Sequence, residues 1–179
     1  MRTHAPGIDR PALHPEIALF VPAILLLLFI AGCEHSDPSS LKIGDRPVMM
    51  APAALDGKRI RVPDDFSGSI IIVRFWTDTC QACAIEMPQL DALYRAYRNN
   101  GLVIVAVNEG QQPDVVRSFV STHGMTYPVV LDSSSIMKNY YGIPGYPTSF
   151  ILDRKGVVRH KIIGSANRET YEKFIRELL

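Results

Sequence analysis

Two of the three cysteines in this chain, Cys80 and Cys83, are separated by only two residues. Before them, Ser69 to Phe75 is a continuous β-branched and aromatic run, the pattern of a strand covered on both faces. After them, Ile85, Met87, Leu90, Leu93, Tyr94 and Tyr97 recur at helical spacing. Cys80 is therefore expected at the start of a helix, a short turn after a buried strand. The unpaired amides and the dipole of a helix N-terminus favour negative charge there. They stabilise the thiolate, which is the nucleophilic form. Cys83, one turn along, can close a disulfide with the first sulfur. The spacing fits a two-step cycle in which Cys80 attacks a disulfide and Cys83 resolves the mixed intermediate. A zinc site would need two further ligands, and no second C-x-x-C exists to supply them. His123 and His160 stand alone and read as surface or hairpin residues. Neither metal nor cofactor is expected.

The elements that must position this pair follow from the rest of the pattern. Asn99-Asn100-Gly101 supplies a helix stop, and Leu102 to Val107 is a second buried-type strand. Pro113 to His123 reads as a helix with Val115, Val116, Phe119 and Val120 on one face. Val129 to Leu131 is a short strand, and Ser134 to Tyr140 a short helix opened by serines. Thr148 to Leu152 and Val157 to Ile163 flank the turn Asp153-Arg154-Lys155-Gly156, a hairpin signal. A last helix from about Asn167 to Leu179 turns Tyr171, Phe174, Ile175 and Leu178 inward. Strands alternating with helices imply an α/β fold: a central mixed sheet with a parallel core, a late antiparallel edge and flanking helices.

Composition bounds the partners. Lys and Arg total 19 against 18 Asp and Glu, a formal charge of +1, which gives no concentrated basic face for nucleic acid. Arg2 and Arg10 precede an apolar stretch, Ile17 to Gly32, broken by Pro22. At 16 residues it is shorter than the roughly 20 of a spanning helix and reads as a signal peptide over residues 1–32. Residues 34–40 are polar, short-sided and proline-broken, a flexible tether. That leaves 41–179 for one domain.

Two stretches carry a family resemblance. Phe75-Trp76-x-x-x-Cys80-x-x-Cys83-x-x-Glu86-x-Pro88 resembles the TlpA/ResA branch of the thioredoxin superfamily. So does Gly145-Tyr146-Pro147-Thr148-Ser149-Phe150-Ile151-Leu152-Asp153, about 65 residues later. The similarity runs from about Ile43 to the C-terminus, and the helix at 113–123 matches the insert that marks this branch. It implies a thioredoxin-like fold and a thiol–disulfide oxidoreductase. Pro147 would be a cis-proline facing the disulfide, or else a plain loop proline. Tyr146 would pair with the substrate backbone like an added strand, with Thr148 and Trp76 beside it. Glu86 would tune proton transfer at the cysteines; the alternative is an exposed first-turn glutamate. Pro88 would kink the helix.

The resemblance also implies the setting. Ile30-Ala31-Gly32-Cys33 resembles the lipobox of bacterial lipoproteins, in which Cys33 would receive diacylglycerol and become the new N-terminus. Two or more acyl chains would anchor the domain stably to the outer side of the bacterial cytoplasmic membrane or to the outer membrane. The implied task is reduction of client disulfides, apocytochrome c being the favoured client, with electrons from a membrane thiol-transfer protein. Two rival readings are a thiol peroxidase and a non-catalytic module using the groove beside Pro147. Thr77-x-x-Cys80 resembles part of a peroxiredoxin motif, yet Val73 stands where that motif has proline. Departures from the TlpA/ResA pattern are Thr79 in place of tryptophan and Arg74 in place of asparagine or aspartate. A guanidinium near Cys80 would favour the thiolate and a more oxidising pair. Alternatively, Arg74 points away and pairs with a carboxylate.

Overall fold

A computed structural model describes residues 40–179; the signal-peptide and lipidation readings, and all of the tether but its last residue, fall outside them. Among the described residues no helix is long and apolar enough to cross a membrane. The strands are β1 (Ala53–Ala54), β2 (Ile70–Trp76), β3 (Leu102–Glu109), β4 (Val129–Asp132), β5 (Thr148–Leu152) and β6 (Val158–Ile163). The helices are α1 (Gln81–Tyr97), α2 (Pro113–Thr122), α3 (Ile136–Tyr141) and α4 (Arg168–Leu178). They build one mixed sheet in the order β1-β4-β3-β2-β5-β6. Strands β2, β3 and β4 run parallel, while β1, β5 and β6 each pair antiparallel with their neighbours. This is the expected thioredoxin-like architecture, with a parallel core and an antiparallel hairpin at one edge.

Strand β2 explains why the site lies where it does. It pairs with β3 on one side and β5 on the other, and all seven of its residues are buried. Side chains alternate across the sheet. Ile70, Ile72 and Trp76 enter a core with Met87, Leu90 and Leu93 of α1, Phe119 of α2, and Tyr171 and Ile175 of α4. Ile71, Val73 and Phe75 enter a second core with Leu41, Val62, Met137 and Tyr141. Each such side chain contributes about 1.5–3 kcal/mol when fully buried. The strand is thus fixed in register from both sides, and the turn that follows it inherits that rigidity. Arg74 shares the parity of Ile72 and Trp76 and is fully buried.

Several local features have identifiable causes. Helix α1 stops at the turn ending in Gly101, whose φ of 89° suits the left-handed region. It carries Pro88 in its interior, where the amide that would bond back to Ala84 is missing. Helix α3 starts at Ile136, later than its serines suggest, because Asp132 does the capping. That carboxylate accepts from the amides of Met137 (3.1 Å) and Lys138 (2.8 Å), while Ser135 adopts φ 56° with no cap bond from its side chain. The β5–β6 turn is held by Asp153, whose Oδ1 accepts from the Lys155 and Val157 amides. Strand β1 and the bridges Met50–Val62 and Ala53–Arg59 form a small hairpin that covers the β4 edge.

Candidate active site

Strand β2 ends at Trp76, and a four-residue turn brings Cys80 to the N-cap of α1 with extended backbone (φ −83°, ψ 97°). The Cys83 amide donates to Cys80 Sγ at 3.1 Å, so one otherwise unpaired helix amide is aimed at the sulfur. Cys80 and Cys83 are joined in a disulfide, with Cα atoms 5.2 Å apart. The two are unequal in access: Cys83 is fully buried and Cys80 is partly exposed. A bulky disulfide approaching from solvent can therefore reach only Cys80.

The Pro147 turn meets the same end of the sheet. Phe75 pairs with Thr148, so the end of β2 that leads to Cys80 lies beside the start of β5. The Tyr146–Pro147 peptide is cis, and the Pro147 carbonyl accepts from the Gly164 amide at 2.8 Å. Tyr146 has neither its N–H nor its C=O in a backbone hydrogen bond among the described residues. An extended segment could pair there. Lys138 lies between Glu109, at 2.8 Å, and the Tyr146 ring, at 5.9 Å.

Two residues expected at the substrate surface lie in the interior. Thr148 is fully buried, and its hydroxyl donates to the Gly145 carbonyl at 2.7 Å; it braces the turn from within. Trp76 is also fully buried, its ring centroid 4.6 Å from that of Phe119. Neither presents surface to a substrate in this conformation. The strand register dictates this, since both positions face cores that the helices cover.

Glu86 and Arg74 lie together on the floor of the site. Glu86 is 4% exposed, so it is not a solvated first-turn glutamate. Arg74 Nη2 donates to Glu86 Oε2 at 2.7 Å, and the Ala166 amide donates to Oε1 at 3.1 Å. Arg74 Nη1 donates to the Tyr171 hydroxyl at 2.7 Å and to Ser149 Oγ at 3.2 Å. Those two hydroxyls are 2.9 Å apart. Burial pushes the Tyr171 phenol above its ordinary value despite the nearby guanidinium. Of the two orientations open to Arg74, the structure takes the one paired with a carboxylate.

Residues to which the sequence assigned no role at the site complete the surroundings. Ser149, Ala166 and Tyr171 hold the ion pair, and the one signal for them was a charged residue inside the apolar run of β2. Gln111 Oε1 accepts from the Asp78 amide at 2.9 Å and from Asn108 Nδ2 at 2.6 Å, tying the pre-cysteine turn to β3. His123 stacks on Phe119 and His160 on Phe174, with centroids 4.0 and 3.8 Å apart.

The chain matches known proteins along most of its length. The AhpC/TSA family model matches residues 43–161. The thiol-disulfide oxidoreductase ResA of Geobacillus kaustophilus is 32% identical over 167 residues, covering 89% of this chain and 95% of that protein. Among solved structures, a thiol:disulfide interchange protein DsbE from Chlorobium tepidum superposes with a TM-score of 0.73 at 27% identity, over 78% of this chain and 99% of that one. StoA from Bacillus subtilis gives 0.63 at 31% identity, over 72% and 96%. With the Cys80–Cys83 disulfide at the helix N-terminus, these likenesses agree on one chemistry. The chain belongs to the AhpC/TSA family and is a ResA/DsbE-like thiol–disulfide oxidoreductase of the thioredoxin superfamily.

Proposed function

We propose that this protein is a lipid-anchored, extracytoplasmic reductase of client-protein disulfides, with Cys80 as the attacking thiol and Cys83 as the resolving one. The observation that carries the reading is the unequal access of the two sulfurs beside an unpaired Tyr146 backbone. In the reduced protein the Cys80 thiolate attacks one sulfur of a client disulfide. The client S–S bond breaks, its electron pair leaves on the other client sulfur, and a Cys80–client disulfide forms. Cys83 then loses its proton and bonds to Cys80 Sγ, releasing the second client sulfur. Two electrons have passed to the client, and the protein is left in the disulfide form seen here. A membrane thiol-transfer protein would restore the dithiol.

Pro147 and Tyr146 would present the client backbone to Cys80 by strand addition. The favoured client is apocytochrome c, a reading that rests on resemblance to the TlpA/ResA branch. Attachment through a lipidated Cys33, after removal of residues 1–32, would hold domain 41–179 at the bacterial membrane facing the periplasm or its equivalent. The thiol-peroxidase reading gains nothing from Thr77, whose hydroxyl is hydrogen-bonded with that of Thr79 at 3.2 Å. Trapping tests the proposal. A Cys83→Ser variant should accumulate a mixed disulfide with client protein in the extracytoplasmic fraction, and Cys80→Ser should accumulate none. Client disulfides that persist equally with and without the protein would argue against a reductase.

A further inference from the structure

The Arg74–Glu86 pair makes and breaks no bond in the proposed thiol cycle. Glu86 comes three residues after Cys83 on α1, so the two side chains are neighbours on one helix face, and both are buried. A free carboxylate there would be placed to take the proton that Cys83 must lose. In this chain both of its oxygens are engaged, Oε2 by Arg74 at 2.7 Å and Oε1 by the Ala166 amide at 3.1 Å. The guanidinium is itself held by Tyr171 of α4 and Ser149 of β5. Of the other ionisable groups nearby, two are turned elsewhere, and a third, Asp78 of the turn before Cys80, holds a buried Oδ1 with no hydrogen-bond partner among the described residues. Tyr127, before β4, donates to Met87 Sδ, and Asp91, further along α1, binds Arg95 and Thr126. The pair therefore sets no net charge behind the sulfurs, where a lone carboxylate would disfavour a thiolate.

We propose that Arg74 is a positioning residue for the thiol cycle: by closing an ion pair it keeps Glu86 from acting as the proton acceptor for Cys83. This rests on the reading that Cys83 resolves the mixed disulfide. In that step the Cys83 S–H bond breaks and its sulfur bonds to Cys80 Sγ. The Cys80–client bond breaks with its electron pair on the client sulfur. The proton passes to that departing sulfur, so Glu86 does not change its protonation.

The test is the reduction potential and the pH profile of the resolving step in Glu86→Gln, Arg74→Gln, Arg74→Lys and the Arg74→Gln/Glu86→Gln double variant. Glu86→Gln leaves the guanidinium unopposed and favours the thiolate. The thiol–disulfide equilibrium should move toward the dithiol by about tenfold, an upward shift of about 30 mV. Arg74→Gln should move it about as far the other way and add one ionisation to the pH profile. The double variant should return to the parent potential, and Arg74→Lys should keep the parent profile. A merely structural pair would lose stability without potential shifts of opposite sign. If Arg74→Gln does not fold, Glu86→Gln decides alone. A raised potential with an unaltered profile shape supports the proposal; an unshifted potential, or loss of an ionisation from the profile, overturns it. Whether Cys83 resolves at all is read separately from Cys83→Ser trapping, so failure there faults the cycle and not the role of Arg74.

Discussion

The mouth and the floor of the site are built from opposite materials. At the mouth stand one partly exposed sulfur, a helix amide aimed at it, and a turn in which the Tyr146 N–H and C=O make no backbone hydrogen bond among the described residues. On the floor, an arginine and a glutamate are withdrawn from water and fastened by a serine, a tyrosine and a backbone amide. The mouth needs little burial to work, because its chemistry is carried by a nucleophile and by main-chain groups any polypeptide can meet. The floor holds charges that would be costly alone and are tolerated because nearly every polar group is matched. A surface open to a disulfide from solvent and an interior that must keep one geometry are thus served by different chemistry within a few residues of chain.

The largest effect expected is at the mouth. Replacing Cys80 by Ser should abolish disulfide reduction outright while leaving the melting temperature of the reduced protein nearly unmoved. An insulin-reduction assay beside a thermal melt measures both, and residual turnover in the variant would mean that Cys83 is reachable after all. At the floor the order reverses. Arg74→Met leaves Glu86 buried and uncompensated and should cost roughly 3–5 kcal/mol of stability. Denaturant unfolding checks this, and a loss under about 1 kcal/mol would mean that the pair is more solvated than its burial indicates.

A smaller effect sharpens the comparison at the side of the mouth. Asp132→Ala removes the carboxylate that caps α3, the helix carrying Lys138 over Tyr146, and should cost about 1 kcal/mol. The smallest effect concerns a region away from both. Burial lowers the His160 imidazole below its ordinary value, and the Glu177 carboxylate at 3.3 Å offsets only part of this. The unfolded chain therefore takes up that proton first as pH falls. The stability held by neutral His160 is complete above about pH 6.5 and is lost as pH falls through the lower folded value. His160→Gln should flatten that slope in melts between pH 7 and 5, and an unaltered slope would place its origin elsewhere.

Much of this was legible beforehand, for reasons that differ by region. The cysteine pair stands between a seven-residue apolar strand and a helix with clear periodicity, so its place at a helix N-terminus followed from pattern alone. The β5–β6 hairpin was marked by its turn residues. The small hairpin around β1 was not, because Ala51-Pro52-Ala53-Ala54 has no alternation to read. Nor did the serines before α3 disclose that the cap comes from Asp132, since several oxygen acceptors stood in a row. Trp76 and Thr148 stand within the two motifs in sequence, yet strand parity turned both inward. For Arg74 the sequence left two orientations open. Its choice depends on Ser149, Ala166 and Tyr171, residues 75 or more positions away that local pattern cannot connect.

The reduction potential of the Cys80/Cys83 couple is the most direct test of the central claim that this protein is a reductant. It can be followed in thiol–disulfide buffers by the fluorescence of Trp76, the only tryptophan, which shares a core with Cys83. With the Arg74 charge offset by Glu86, the potential should lie near −270 mV, at the reducing end of the thioredoxin-fold range. A value near −120 mV would mark an oxidant and contradict the account.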